Sequence, residues 1–555
     1  MHFIDIGVII LYLLGITFLG IKIGKRIKAS SEFFMPRRFG KGMMMMHAFG
    51  TGTASDQAVV VSSASFKNGL SGIWFQWLWL FCTPFYWLIA PIFRRLRAIT
   101  TADVYALRFG SSVAVLFSII GVIGLSLKIG LMLKGAGALI DAGTDGAVSS
   151  NFAIPTVALL FVIYGAAGGM SAAIITDYIQ GILTIIFSFI LLPFVLQAVG
   201  GINGVRELVN DPSKMSLVAP EKIGIFFIIA FGINSLFLIV SQPFIMGVCS
   251  TGRTEMDGRF GFVAGNLIKR VCTAAWAITG LAALAYFIKE GTILSQVDAD
   301  RVYGQMAKEF LPNIMPGLLG LFIAALLAGV MSSCDSFMIS SSALFTENLY
   351  KPIFTDKSQT HYLKIARIAS IFIVGFGLLF AYSMDGVVSG LKSWLKFGAP
   401  LGIGFWLGLF WRRFNAAGVW VSTLTAYICW WMTTQPFFIS FLKSFSINEK
   451  WGVLRFVKGS HVIYEPYQIT FYLSLAIVAG IIASLATRKP NTEKIKLYHD
   501  LISTPVKEGE IILKPCTLPE GTIPSNRKKW FLNTSFEICA PSKISYIGFI
   551  LSWVA

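Results

Sequence analysis

The sequence predicts an all-α polytopic membrane protein, and three observations carry that prediction. Apolar residues fill 55% of 555 positions and charged residues only 13%, about half the charged share of ordinary globular domains. The mean hydropathy is +0.71, and the apolar residues gather in runs of the roughly 20 residues that a bilayer crossing needs. Some runs also carry polar groups at their middles, where a lipid-facing helix would hold only Leu, Ile, Val and Phe.

Fourteen candidate segments follow in order: 2–23, 43–65, 72–95, 112–145, 152–174, 175–199, 223–246, 262–289, 315–350, 362–384, 387–411, 416–437, 468–487 and a short 541–555. The last is too short to span at 1.5 Å per residue, so about 13–14 transmembrane helices are expected. The first has only His2 and Asp5 ahead of its apolar run and no basic n-region, which makes it an anchor rather than a cleaved signal. The second reads His47-Ala-Phe-Gly-Thr-Gly-Thr-Ala-Ser-Asp-Gln57, and the seventh reads Phe231-Gly-Ile-Asn-Ser235 and then Ser241-Gln-Pro243. Backbone freed by Gly and Pro in mid-span is tolerated where it lines a cavity. Glycine and small hydroxyls alone serve close helix packing equally well, but Asp56, Gln57 and Asn234 add polar groups that packing does not need. Two interrupted helices five segments apart are what an inverted five-plus-five repeat places around a midplane site.

The net charge of +18 excludes neither membrane nor transport, and its distribution argues against nucleic acid as a partner. Lys22, Lys25, Arg26, Lys28, Arg37, Arg38 and Lys41 follow the first segment, Arg94, Arg95 and Arg97 the third, and Arg412 and Arg413 the eleventh. Basic loops face the cytoplasm, which puts the N-terminus outside, in the plasma (inner) membrane. Lys443, Lys450, Arg455 and Lys458 in the loop 438–467 run against that pattern. Residues 488–540 form the longest polar stretch, too small for a confident core of its own and read as a cytoplasmic linker with a hairpin or interfacial helix. The chain thus divides into an N-terminal span and basic loop (1–42), a repeat core (43–411), peripheral spans (412–487), the polar segment (488–540) and a partial final span (541–555). Seven cysteines show neither C-x-x-C spacing nor a histidine at ligand distance, so zinc and redox chemistry are not indicated.

The most polar interruption is Ala328-Gly-Val-Met-Ser-Ser-Cys-Asp-Ser336. Three hydroxyls and a carboxylate at membrane depth are costly unless they face a partner or a water-filled path. Oxygen donors with one negative charge suit a hard monovalent cation that sheds its hydration shell. Serines that bond back to a carbonyl one turn earlier are the plainer alternative.

Three motifs then resemble those of the sodium:solute symporter family, which includes sodium–glucose, sodium–proline and sodium–pantothenate carriers. They are Gly168-Gly-Met-Ser-Ala-Ala-Ile-Ile-Thr-Asp-Tyr-Ile-Gln180, the stretch Ala328–Ser336, and Phe397-Gly-Ala-Pro400 followed by Leu407-Gly-Leu-Phe-Trp-Arg-Arg413. The resemblance covers about residues 1–490 and implies a LeuT-type bundle, alternating access and Na+ coupling. Carried over, it implies a Na+ site from Ser332 and Ser333 with the carbonyls of Gly50, Thr53 and Gly329. It also implies a second Na+ or proton site at Asp177, Asp335 and Ser336, where Asp335 replaces a hydroxyl of the family pattern. Asp177 is equally readable as a helix N-cap after Gly168-Gly169, and Asp335 as a partner of a lysine.

For the solute, similarity to sugar carriers points to Gln57, Gln76, Asn234 and Lys269, with Phe237 where a stacking tyrosine stands. Amides donate and accept, which suits vicinal hydroxyls. Trp74, Trp77 and Trp79 lie nearby, although aromatic residues at helical spacing more often serve packing. Lys128 sits deep in the fourth segment, at a position similar to a carboxylate-binding arginine of sialic-acid carriers. It either pairs with Asp335 or Asp177 or holds an anion. The expected function is Na+-coupled import of a small polar solute: a sugar, polyol or sugar acid first, an amino acid or carboxylate second. Enzyme chemistry is not indicated, because the five histidines are scattered and neither H-E-x-x-H nor G-x-S-x-G occurs. A channel or a transporter-like sensor is the remaining rival.

Overall fold

The computed structural model describes residues 2–24, 33–51, 55–219, 223–445, 451–457, 459–507, 509–510, 512, 514–525, 529–531 and 534–555. Among them the chain is a helical bundle with one small hairpin, in which Leu454–Val457 pairs antiparallel with Ser460–Ile463. The main helices are α1 (Phe3–Gly24), α2 (Lys41–Gly50), α3 (Ser55–Asn68), α4 (Thr83–Arg95), α5 (Thr101–Phe109), α6 (Ser111–Gly143) and α7 (Ser150–Ile190). They continue as α8 (Ile225–Ser241), α9 (Phe244–Ser250), α10 (Glu255–Lys289), α11 (Leu318–Ala343) and α12 (Gln359–Ser383). The series ends with α13 (Val387–Phe410), α14 (Ala416–Met432), α15 (Glu465–Ala486), α16 (Thr492–Ser503) and α17 (Lys543–Val554).

Both predicted interruptions are present. Helix α2 ends at Gly50, the chain leaves helical geometry at Thr51 (ψ 105°), and α3 resumes at Ser55. Helices α8 and α9 meet at 70° across Gln242-Pro243, because proline lacks the N–H and disfavours helical geometry in the residue before it. Polar caps then restart the chain: Thr254 and Asp257 form a reciprocal capping box at α10.

Among the described residues, eight helices are long and apolar enough to cross a membrane, nine with the bent pair. That is fewer than the 13–14 expected, for an identifiable reason. Counting apolar runs takes no account of helix length or breaks, and α2, α3 and the 17-residue α14 are each short. The expected boundary between 174 and 175 is also displaced. Helix α7 breaks at Gly169, whose φ of 55° and contact with Phe33 admit no side chain.

Helices approach closely through small residues, as expected where lipid offers no hydrophobic drive. A Cβ on Gly261 or Gly265 of α10 would press into Met44–Phe49 of α2, and one on Gly280 into Ser62 of α3. Helix α11 is buried along nearly its whole length, whereas α1 and α12 expose Phe3, Leu11, Phe18, Phe372 and Leu379. Helices α7, α6, α1 and α12 pack around α11 and enclose its hydroxyls in protein, and the outer faces of α1 and α12 leave apolar surface for lipid. The polar segment packs instead of trailing: α16 buries Ile495, Tyr498 and Leu501.

Candidate functional site

The breaks in α2–α3 and α8–α9 converge with α4, α6, α10, α11 and α13 on a cavity of about 60 Å³. That volume holds only a few waters, so a solute needs its walls to part. Thr51, Gln57, Gln76, Gln242, Asn266, Lys128, Lys269 and Arg270 supply polar groups there, and Trp79 and Trp394 supply an aromatic wall with centroids 6.3 Å apart.

Beside the cavity, Ser333 Oγ of α11 donates to the Gly50 carbonyl at 2.7 Å, across the mouth of the first break. Ser332 Oγ is buried without a hydrogen-bond partner. Neither serine is satisfied by its own preceding turn, which removes the plainer reading of back-bonded serines. Two hydroxyls and a freed carbonyl are hard oxygen donors of the kind a small hard cation needs. Gly329 lies one turn earlier on the same buried helix, and Thr53 falls outside the described residues.

Asp177 accepts from His47 at 2.5 Å, and Thr51 Oγ1 lies 3.1 Å from the same ring nitrogen. Asp177 is therefore not an N-cap. It stands two turns past Gly169 inside α7 and ties that helix to α2. A Cβ on Gly50 would come within 3.2 Å of the Asp177 carboxyl, so Asp177 adjoins the Ser333–Gly50 contact. Asp335 and Ser336 are buried on α11, and a Cβ on Gly165 would overlap the Asp335 carboxylate. The two carboxylates thus have different neighbours.

Lys128 pairs with neither of its expected partners. Its Nζ lies 2.8 Å from Asp56 Oδ2, both groups are buried, and the ammonium sits 4.8 Å from the Trp394 ring centroid. The expectation failed because segment spacing does not say which carboxylate faces the fourth span. Sequence reading singled out Asp56 only as a sign of the break, and its lysine partner is a tertiary fact.

Gln57, Gln76 and Lys269 do line the cavity. Lys269 donates to the Thr51 carbonyl at 3.3 Å, and Arg270 donates to the Gln76 backbone carbonyl at 2.5 Å and to its Oε1 at 3.3 Å. Two expected solute residues are not in the cavity. Asn234 donates to the Leu395 carbonyl at 2.9 Å and accepts from Tyr472, so its amide fastens α8 to α13 and α15. Phe237 lines a separate apolar groove with Phe85, Ile89, Trp406 and Phe410. Arg270, Asn266 and Gln242 were missed; an arginine next to Lys269 in an apolar run is the signal that could have found the first.

The description of the sodium:solute symporter family matches residues 33–426, which contain every element of this site. The chain belongs to the sodium:solute symporter family. The osmoregulated proline transporter OpuE of Bacillus subtilis is 24% identical over 457 residues, covering 79% of this chain and 85% of that protein. A sodium/pantothenate symporter of Haemophilus influenzae is 23% identical, over 78% of this chain and 91% of that protein. The rabbit sodium/glucose cotransporter 1 is 21% identical, over 95% and 87%.

Among solved structures, a Na+-coupled sialic acid symporter in a substrate-bound outward-open state superposes with a TM-score of 0.73 and 18% identity. It covers 88% of this chain and 99% of that one. Mhp1, a nucleobase–cation symporter in a closed conformation, gives 0.54 at 12% identity, over 84% and 98%. This member of the symporter family therefore has the LeuT fold and is a multi-pass membrane transporter with Na+ as its coupling ion.

Proposed function

We propose that this symporter couples Na+ to import of a small solute bearing a carboxylate, across the plasma membrane with its N-terminus outside. One observation carries the solute class. Lys269 and Arg270 both face the cavity with no carboxylate within ion-pair distance among the described residues, while Lys128 is already neutralised by Asp56. Buried cations without a counter-ion are strongly unfavourable, and a solute carboxylate would supply one. Arginine binds carboxylates with two parallel hydrogen bonds, and the adjacent ammonium adds charge. Proline, pantothenate and sialic acid, named for two relatives and one structural neighbour, all bear a carboxylate.

The Na+ site in this reading combines Ser332, Ser333 and the Gly50 carbonyl, with Thr53 and Gly329 completing the set. The Ser333–Gly50 contact opens to admit the ion, which joins α11 to the break and links ion binding to the cavity five residues on. Asp177, Asp335 and Ser336 are the proposed second ion or proton positions. A sugar or polyol is the second reading. It is favoured by the amides of Gln57, Gln76, Gln242 and Asn266 around the cavity and by the glucose-cotransporter relative.

A thermal-shift panel that pairs each carboxylate with its neutral amide separates the two. A ligand at about 100 times its dissociation constant stabilises by ~2.7 kcal/mol. Carboxylates are expected to act only with Na+, and their amides not at all. Na+-dependent stabilisation by neutral sugars, unchanged in Arg270→Gln, would replace the first reading with the second.

A further inference from the structure

At the end of the bundle where α4 meets α10, four arginines gather around two carboxylates that pair with only two of them. Arg95 binds Glu255 through two contacts of 2.8 Å. Arg97, fully buried with a φ of 55°, spends its donors on Glu510 (2.5 and 3.1 Å) and on the carbonyls of Arg95, Thr504 and Pro505. Glu255 also accepts from the Val506 amide at 2.9 Å, and Arg95 donates to the Ile502 carbonyl at 3.2 Å. Those contacts stitch residues 502–506 and Glu510 of the polar segment over the ends of α4 and α10 and occupy both carboxylates.

Arg94 and Arg37 are left over. Arg94 is 3% exposed, yet its Nε and Nη1 have no hydrogen-bond partner, and its Nη2 reaches only the Arg253 carbonyl at 3.4 Å. Arg37 comes from the loop after α1, donates to the Ala98 carbonyl at 2.7 Å and keeps a buried, unpartnered Nε. Burial and the nearby Arg94 and Arg97 guanidiniums pull the Arg37 pKa down to about 9. A buried guanidinium with idle donors is costly, and the buried Arg94 with the half-buried Arg37, beside two Arg–Glu pairs already neutralised, leaves an excess of positive charge.

We propose that Arg94 and Arg37 form a binding site for a phosphate-type oxyanion, seated between the end of α4, the 33–40 loop and the polar segment. Tetrahedral oxyanions accept several charge-assisted hydrogen bonds at once, which is what clustered guanidiniums recognise. The same group is available from two sources, an anionic phospholipid headgroup at the end of the spans or free inorganic phosphate. Bound there, it would fasten the polar segment to two helices of the transport core. The site is distinct from the solute cavity and does not depend on which solute is carried.

The test uses the full chain, stripped of lipid in detergent, with melting temperature as the readout. Inorganic phosphate is titrated against chloride at matched Na+ and ionic strength, and phosphatidylglycerol against phosphatidylcholine in parallel samples. The wild type is expected to gain several degrees with phosphate or with phosphatidylglycerol, and Arg94→Gln and Arg37→Gln each to lose that gain. A response to both probes assigns the free anion, and one to phosphatidylglycerol alone assigns the lipid. A wild type that responds to neither beyond its controls overturns the site, as do two folded variants that respond like the wild type. If Arg94→Gln does not fold, Arg37→Gln decides alone.

Discussion

Replacing Lys128 with methionine keeps most of its volume and removes the charge that faces Asp56. Both partners are buried, at 4% and 1% side-chain exposure, and the second Asp56 oxygen has no hydrogen bond. Breaking a buried pair by removing one partner costs about 3–5 kcal/mol, because the other charge stays uncompensated. The two single variants should not be equal. Asp56→Asn leaves Lys128 over Trp394, and a desolvated cation–π contact offsets about 2 kcal/mol; Lys128→Met leaves Asp56 with nothing comparable. The double variant Asp56→Asn/Lys128→Met removes both charges and should lie within about 1 kcal/mol of wild type or above it. Equilibrium unfolding in mixed micelles, run as a double-mutant cycle, measures the coupling. Additive singles, or a Lys128→Met variant as stable as wild type, would refute the buried pair.

Other outcomes follow from the same geometry. Gly165→Ala puts a methyl into the Asp335 carboxylate and should cost about 1–3 kcal/mol, read by melting temperature, with Na+-dependent stabilisation weakened. Lys269→Ala and Arg270→Gln should raise the KM for a carboxylate solute at least tenfold while leaving Na+-dependent stabilisation intact; equal loss of both would make them structural. In the polar segment, burial and then the Arg108, Arg412 and Lys529 charges lower the His499 pKa to about 3. The unfolded chain, at about 6.5, then binds more protons below neutrality. Stability should therefore rise with pH between about 3 and 6.5 and level off above. His499→Gln should flatten that slope in a melting curve, and an unchanged slope would contradict the assignment.

Much of the fold was legible because its signals are local. Gly50 and Gln242-Pro243 break helices through backbone chemistry, so both interruptions could be read from the chain, and Ser332 and Ser333 stood out because hydroxyls at membrane depth have few uses. What spacing could not supply is rotation. Asn234 and Phe237 sit on the expected broken helix, yet one turns to Tyr472 and the other to an apolar groove, because their neighbours on α13 and α15 are set by packing. The same holds for Lys128, whose partner proved to be Asp56. The bond of His47 to Asp177, 130 positions away, was likewise not readable. The polar segment looked like a linker because its few apolar residues form no core. Its anchoring comes from Tyr498 and Leu501, which join the core of the bundle, and from carboxylates that meet arginines at distant helix ends.

The central claim is that Na+ bound at the Ser332–Ser333 hydroxyls and the Gly50 carbonyl drives the solute across. Uptake into proteoliposomes under an imposed inward Na+ gradient tests it most directly, with the solute taken from the thermal-shift panel. Wild type should accumulate solute above the external concentration only while the gradient lasts. Ser332→Ala/Ser333→Ala, reconstituted to the same level, should only equilibrate. Accumulation by that double variant equal to wild type, or by wild type without a Na+ gradient, would contradict the account.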